Sequence, residues 1–71
     1  MKHARKVKIK GEIWKYFVIE HQKNGDSRVR FHTPMGFYVD WNVESTEPSN
    51  AFIKAFVLSN PHLFEEQEKE E

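Results

Sequence analysis

The sequence predicts an α+β fold: a three-stranded antiparallel β-meander, with four strands or a small barrel as alternatives, and one C-terminal helix packed on one face. Apolar and polar residues alternate with period two in 28–33 and 37–43, which is typical of half-buried strands. Glycine-containing loops separate these segments from each other and from 13–21. After Pro48 the apolar residues change to helical spacing, so a helix follows the meander.

The loops determine the predicted strand pairing. Residues 23–25 and 34–36 each fit a three-residue hairpin loop with glycine in the left-handed position. With these loops, Phe31 lies opposite Phe17 on one side and Val39 on the other, so apolar residues meet. The predicted core face is odd-numbered throughout: Ile13, Phe17, Ile19, Val29, Phe31, Phe37, Val39, Trp41 and Val43.

Residues 5–21 are expected to form one long first strand, bent or bulged at Gly11. This strand leaves 7–13 without a partner in the meander. Three alternatives stay open for that segment: it closes a small barrel, pairs with a second chain, or stays a mobile arm.

The helix is expected over the apolar residues 51–58, with a hydroxyl cap, Glu47 and Pro48 at its start. Asn60 and Pro61 end the helix, and Leu63 and Phe64 fold back to cover part of its apolar surface.

The chain length of 71 residues allows one domain with a small core. We expect that domain over 1–64, with a basic arm at 1–6, and an acidic disordered tail at 65–71. Residues 1–30 carry nine Lys and Arg against three Asp and Glu, whereas 31–71 carry two against eight. Such sorting indicates either a basic arm for an anionic partner or an acidic terminus that balances a basic strand end.

The chain carries no pattern that indicates an enzyme. It has no cysteine, and its four histidines lack metal-site spacing. Its serines lack a nucleophile motif, and its glycines form no phosphate loop. We therefore predict a non-enzymatic binding protein without catalytic residues, metal, cofactor or small-molecule substrate. Its apolar runs are far shorter than the ~20 residues of a membrane span, so we expect no membrane contact. Because the chain has no cysteine, we expect it in the reducing cytoplasm.

The even-numbered sheet face holds the candidate site. Aromatic rings beside Lys and Arg suit base stacking and phosphate neutralisation, so nucleic acid is the predicted partner. Tyr16, His32 and Tyr38 are expected in one row across the three strands. The predicted binding residues are Lys8, Lys10, Trp14, Tyr16, Arg28, Arg30, His32 and Tyr38.

The predicted layout, three antiparallel strands and a helix on their inner face, is similar to that of small DNA-binding modules such as the AP2 type and the arm-binding domains of tyrosine integrases. This likeness implies that the open sheet face contacts DNA. The likeness is confined to the layout of strands and helix, so it assigns no role to any residue.

A protein-interaction module is the alternative function. Trp14, Tyr16 and Val18 can instead form the core of a second layer, made by the N-terminal segment or by a twofold partner. The same face then serves a protein partner or a homodimer, as in an accessory or inhibitory protein of a phage or another mobile element. Arg28 and Arg30 can also be taken up by carboxylates on neighbouring strands.

Overall fold

The computed structural model describes residues 4–65, in which a helix packs on one face of a single antiparallel sheet. The strands are adjacent in chain order, β1-β2-β3-β4, so the sheet is a four-stranded meander. The predicted α+β class is confirmed, with four strands. The elements are β1 (Arg5–Ile9), β2 (Glu12–His21), β3 (Ser27–His32), β4 (Tyr38–Val43), α1 (Asn50–Ser59) and a 3₁₀ helix (Pro61–Phe64).

A tight turn at Lys10 and Gly11 joins β1 to β2. Both residues have positive φ, 52° and 80°, as the two central residues of a type I′ hairpin turn do. Glycine adopts this conformation without steric cost, whereas lysine is strained in it. The prediction of one bent strand over 5–21 is therefore wrong, because the chain reverses here and β1 pairs with β2 along its whole length.

The other two hairpins have the predicted loops. A backbone hydrogen bond joins the residues that flank each loop, 2.8 Å across the first and 3.0 Å across the second. Gly25 and Gly36 hold the left-handed conformation, with φ of 93° and 96°. The predicted pairing of β3 with β4 is also confirmed, since Val29 lies opposite Trp41.

A β-bulge at Ile19 changes the register of β2 against β3. Val18 lies opposite Val29 and Glu20 lies opposite Arg28, which leaves Ile19 as an extra residue without a partner. Because side chains alternate between faces, one extra residue turns every side chain before it to the other face.

The bulge overturns the predicted faces of β2. Trp14 and Tyr16 lie in the core, only 8% and 2% exposed. Ile13 is instead 49% exposed, and Phe17 and Ile19 are half-buried. The predictions that these three residues form the core, and that Trp14 and Tyr16 lie outside it, are wrong because residues 13–19 are apolar at both parities.

The core lies between the sheet and α1. Burial of one large apolar side chain contributes about 1.5–3 kcal/mol, so these contacts are the main source of stability. The buried apolar residues are Val7, Ile9, Trp14, Tyr16, Val29, Phe31, Val43, Ile53, Val57 and Phe64.

Phe64 closes this core from the 3₁₀ helix. Its ring centroid lies 4.9 Å from that of Phe31 and 5.3 Å from that of Trp14, both in edge-to-face geometry. Leu63 is half-buried, and its carbonyl accepts a 3.1 Å hydrogen bond from the Trp41 indole. The prediction that the segment after α1 folds back is therefore confirmed.

Ser49 caps the start of α1. Its hydroxyl accepts a 3.1 Å hydrogen bond from the Phe52 N–H, so Glu47 and Pro48 precede the helix instead of forming its first turn. The predicted end at Asn60 is confirmed, since this residue is the C-cap.

Asn50 connects α1 to the first two strands. The Tyr16 hydroxyl donates to the side-chain oxygen of Asn50, and the Asn50 amide donates to the Lys6 carbonyl at 3.1 Å. This pair of bonds satisfies the buried phenol and places the helix N-terminus over β1.

Part of the predicted arm and nearly all of the predicted tail, residues 1–3 and 66–71, lie outside the described residues. The last two arm residues, Arg5 and Lys6, are the first two of β1. Within 4–65, no helix has the length and apolar character needed to cross a membrane.

Candidate functional site

The sheet face opposite α1 is left uncovered by the elements described, and we call it the helix-free face. Its strand residues alternate with the buried ones of the core, so the same strands supply both faces. They are Lys6, Lys8, Ile13, Lys15, Phe17, Glu20, Arg28, Arg30, His32, Tyr38, Asp40 and Asn42.

Positive charge is concentrated on this face. Five of its strand residues are Lys or Arg and two are acidic. Two of the lysines, Lys6 and Lys15, lie directly opposite each other on β1 and β2. Like charges in a cross-strand pair are destabilising, so an anion placed between them would relieve a cost present in the isolated sheet.

Arg30 and Asp40 form an ion pair on this face. The guanidinium Nε and one Nη each lie 2.9 Å from a carboxylate oxygen, so the pair is bidentate. The hydrogen bond and, after it, the attraction between the charges raise the pKa of Arg30. The same hydrogen bond lowers the pKa of Asp40. Much of the Arg30 charge is therefore balanced within the sheet, as one alternative reading of the sequence expected.

Arg28 differs from Arg30. It lies opposite Glu20, but within residues 4–65 it forms no ion pair at 4.0 Å or less. Lys6, Lys8 and Lys15 have no such carboxylate partner in the described part of the chain either. Four cationic side chains are thus available to an anionic ligand.

One row of side chains crosses all four strands at the end of the sheet where β3 ends and β4 begins. Lys6 is opposite Lys15, Lys15 is opposite His32, and His32 is opposite Tyr38. The rings of His32 and Tyr38 lie 4.7 Å apart and are tilted by 32°, and Tyr38 is 63% exposed. Lys15 therefore takes the place in this row that the sequence had assigned to Tyr16.

The other five predicted site residues do not all lie on the helix-free face. Lys8 and Arg28 are exposed on the helix-free face, whereas Lys10 lies in the turn at the end of the β1–β2 hairpin. Trp14 and Tyr16 are buried under α1 and are unavailable to a ligand on this face.

Sequence reasoning missed Lys6, Lys15 and Phe17 as members of the face. Their position depends on the parity of β2, and apolar residues occupy both parities there. The signal that could have placed them is Lys15 itself, because a lysine between Trp14 and Tyr16 favours the orientation that buries both aromatic rings.

Two recesses lie beside α1. One, of about 300 Å³, is lined by Arg5, Tyr16, Phe17, Val18, His21 and the loop 46–49. The other, of about 190 Å³, is lined mainly by apolar residues near Trp14 and the end of α1. The first is at the small end of typical ligand pockets and the second is below it. Within 4–65 no three His, Cys, Asp or Glu residues are grouped as a metal site.

Comparison of the chain with protein-family models, with curated proteins and with solved structures gives no match.

Proposed function

We propose that the helix-free face binds nucleic acid. The observation that carries this proposal is the placement of cations without carboxylate partners within 4–65 beside exposed aromatic rings on one uncovered surface. The residues assigned to phosphate contacts are Lys6, Lys8, Lys15 and Arg28, with Lys10 at the adjoining turn. His32 and Tyr38 are assigned to bases.

The opposed pair of Lys6 and Lys15 supports a polyanionic ligand. This pair costs stability in the free protein, and a phosphate between the two ammonium groups would turn repulsion into two attractive contacts. Each neutralised phosphate also releases condensed counterions, which is the main source of affinity for nucleic acids.

Fluorescence anisotropy of a labelled mixed-sequence oligonucleotide, titrated at several salt concentrations, tests the proposal. Each phosphate contact changes the slope of log K against log salt by about 0.7 for a single strand and about 0.9 for a duplex. We expect a steep negative slope for the unmodified chain. Lys15→Gln should weaken binding and lower the slope by about one such contact.

Lys54→Gln is the matched control, since Lys54 is exposed on α1 and the charge change is the same. Binding should be nearly unaffected by it. Binding that is absent at low salt, or that does not depend on salt, would overturn the proposal. If Lys15→Gln and Lys54→Gln weaken binding equally, the nucleic-acid site does not lie on the helix-free face.

A second candidate function is self-association through β4, favoured by one observation. β4 is one of the two outer strands of the sheet, and within 4–65 no strand pairs with its far edge. The apolar residues Val39, Trp41 and Phe52 are only half-buried. Addition of a strand from a second copy would satisfy that edge. Sedimentation equilibrium over a wide concentration range tests this candidate, since a constant monomer mass would exclude it.

A further inference from the structure

The distribution of charge on the helix-free face is one-sided, and it indicates which form of nucleic acid fits. The cations Lys6, Lys8 and Lys15 lie on β1 and β2 and Arg28 lies on β3, whereas the face residues of β4 include no cation and one carboxylate, Asp40. A duplex groove is bordered by two phosphate backbones, so a sheet lying in it needs cations at both margins. The helix-free face offers them chiefly at one margin.

The width of the sheet points the same way. Four strands span three spacings of about 4.8 Å, which places β1 and β4 about 14 Å apart. The major groove of B-form DNA is about 12 Å wide and admits a helix or a two-stranded ribbon. The four-stranded sheet is therefore wider than the groove, and β1 with Lys6 and β4 with Tyr38 do not fit into it together.

The exposed ring of Tyr38 supplies the third argument. It is 63% exposed and lies 4.7 Å from the His32 ring, so the two rings form an aromatic surface open to solvent. Bases inside a duplex are covered by their neighbours, and only an unpaired, unstacked base can place its face on such a ring.

We infer that the ligand is single-stranded nucleic acid, an inference that rests on the proposed function. Its sugar–phosphate backbone follows Lys6, Lys8 and Lys15, and its bases lie toward β4, where one stacks on Tyr38 and His32. Cations on one side and aromatic rings on the other match the two sides of a single strand.

The test compares two labelled ligands on the full chain at about 50 mM salt, a concentration at which phosphate contacts are strong. One is a mixed-sequence single strand, and the other is a blunt hairpin duplex of the same composition. The single strand should bind at least about tenfold more tightly, since stacking contributes to it alone. Tyr38→Ala should weaken single-strand binding roughly 5- to 150-fold, the range for loss of one stacked base.

Tyr38→Phe is the matched control, because it keeps the ring and should retain nearly full affinity. Tyr38→Ala should leave the slope of log K against log salt unchanged, whereas Lys15→Gln should reduce it by about 0.7. Thermal melting of each variant shows that the fold is intact.

The outcomes separate this inference from the proposed function. Equal or tighter binding of the duplex overturns the single-strand inference and leaves the nucleic-acid proposal standing. If Tyr38→Ala binds the single strand with full affinity, no base stacks on the Tyr38 ring and the single-strand inference is overturned. If neither the single strand nor the duplex shows salt-dependent binding, both the single-strand inference and the nucleic-acid proposal are overturned.

Discussion

The two faces of the sheet are built from the same strands but have opposite chemistry. On β3, Val29 and Phe31 are fully buried under α1, whereas Arg30 and His32, one residue further along, are partly exposed on the helix-free face. The covered face contributes the apolar burial that folding requires. The helix-free face contributes little apolar burial, so its side chains can be polar or charged, as ligand binding requires, without loss of the fold.

This separation means that stability and binding should respond to different residues of one strand. A substitution on the covered face should unfold the chain, while its neighbour on the other face should change affinity alone. The predictions below test that division, beginning with the largest expected effect.

Phe31→Asp should abolish the folded state. The ring has no exposed surface and packs against Phe56 and Phe64, so an aspartate there is an unpaired charge in the core. His32→Asp, one residue later, should still fold because it faces solvent. Circular dichroism during thermal melting measures both. A soluble, cooperatively melting Phe31→Asp variant would show that the faces are assigned the wrong way round.

Ser27→Ala should cost about 1–3 kcal/mol in the free energy of unfolding. The fully buried hydroxyl of Ser27 donates to the Ser45 carbonyl at 2.6 Å and lies 3.0 Å from that of Thr46. Without the hydroxyl the Ser45 carbonyl loses its donor, and the loop before α1 loses its attachment to β3. Urea unfolding measures the change. Ser59→Ala, at an exposed helix position, should stay within about 0.5 kcal/mol of the unmodified chain.

Tyr16→Phe should cost about 1 kcal/mol, the usual net contribution of one hydrogen bond. The variant keeps the buried ring and loses only the bond from the phenol to Asn50. Tyr38→Phe removes the same atom from a 63% exposed residue, so it should have almost no effect on stability. If urea unfolding gives equal losses for the two variants, the phenol of Tyr16 does not connect β2 to α1.

Asp40→Asn should have the smallest effect, and the effect should depend on pH. The Arg30 hydrogen bond lowers the pKa of Asp40 below its ordinary value of 3.8. Since the folded-state pKa is the lower one, the pair stabilises the fold above that ordinary value, and this contribution is lost as pH falls through the lowered pKa. Both side chains contact solvent, so the gain is small.

Melting temperatures of the two proteins measure this dependence. The unmodified chain should exceed Asp40→Asn at neutral pH, and the gap should close in acid. In an Arg30→Gln background the gap should be much smaller, because only the weaker attraction of Arg28 then lowers the pKa of Asp40. A gap of the same size at neutral and acidic pH would mean that the ion pair is not its cause.

The sequence predicted β3 and β4 well because their apolar residues occupy a single face, and α1 well because the apolar spacing changes from period two to helical after Pro48. In β4, Val39 and Trp41 alternate with polar or exposed residues, so only one orientation buries them. The pairing of β3 with β4 and both glycine loops then followed from the requirement that apolar residues meet, whereas the predicted Phe17–Phe31 pair is wrong because Tyr16 lies opposite Phe31.

β2 could not be oriented in this way. Residues 13–19 are apolar at both parities, so alternation favours neither face, and the bulge at Ile19 decides the outcome through three-dimensional packing. The candidate site had the same limit. Arg28, His32 and Tyr38 lie on strands with a clear pattern and were placed correctly, whereas Tyr16 and Lys15 were exchanged.

The hydrogen bond from Asn50 to the Lys6 carbonyl has a consequence for polymerisation. It occupies an outward backbone acceptor of β1, a strand of five residues whose exposed side chains include two lysines. Both features disfavour addition of another strand there. An open-ended fibril needs two available edges per copy, while pairing through β4 alone closes after two copies. In concentrated solution, association through strand edges should therefore end at a dimer.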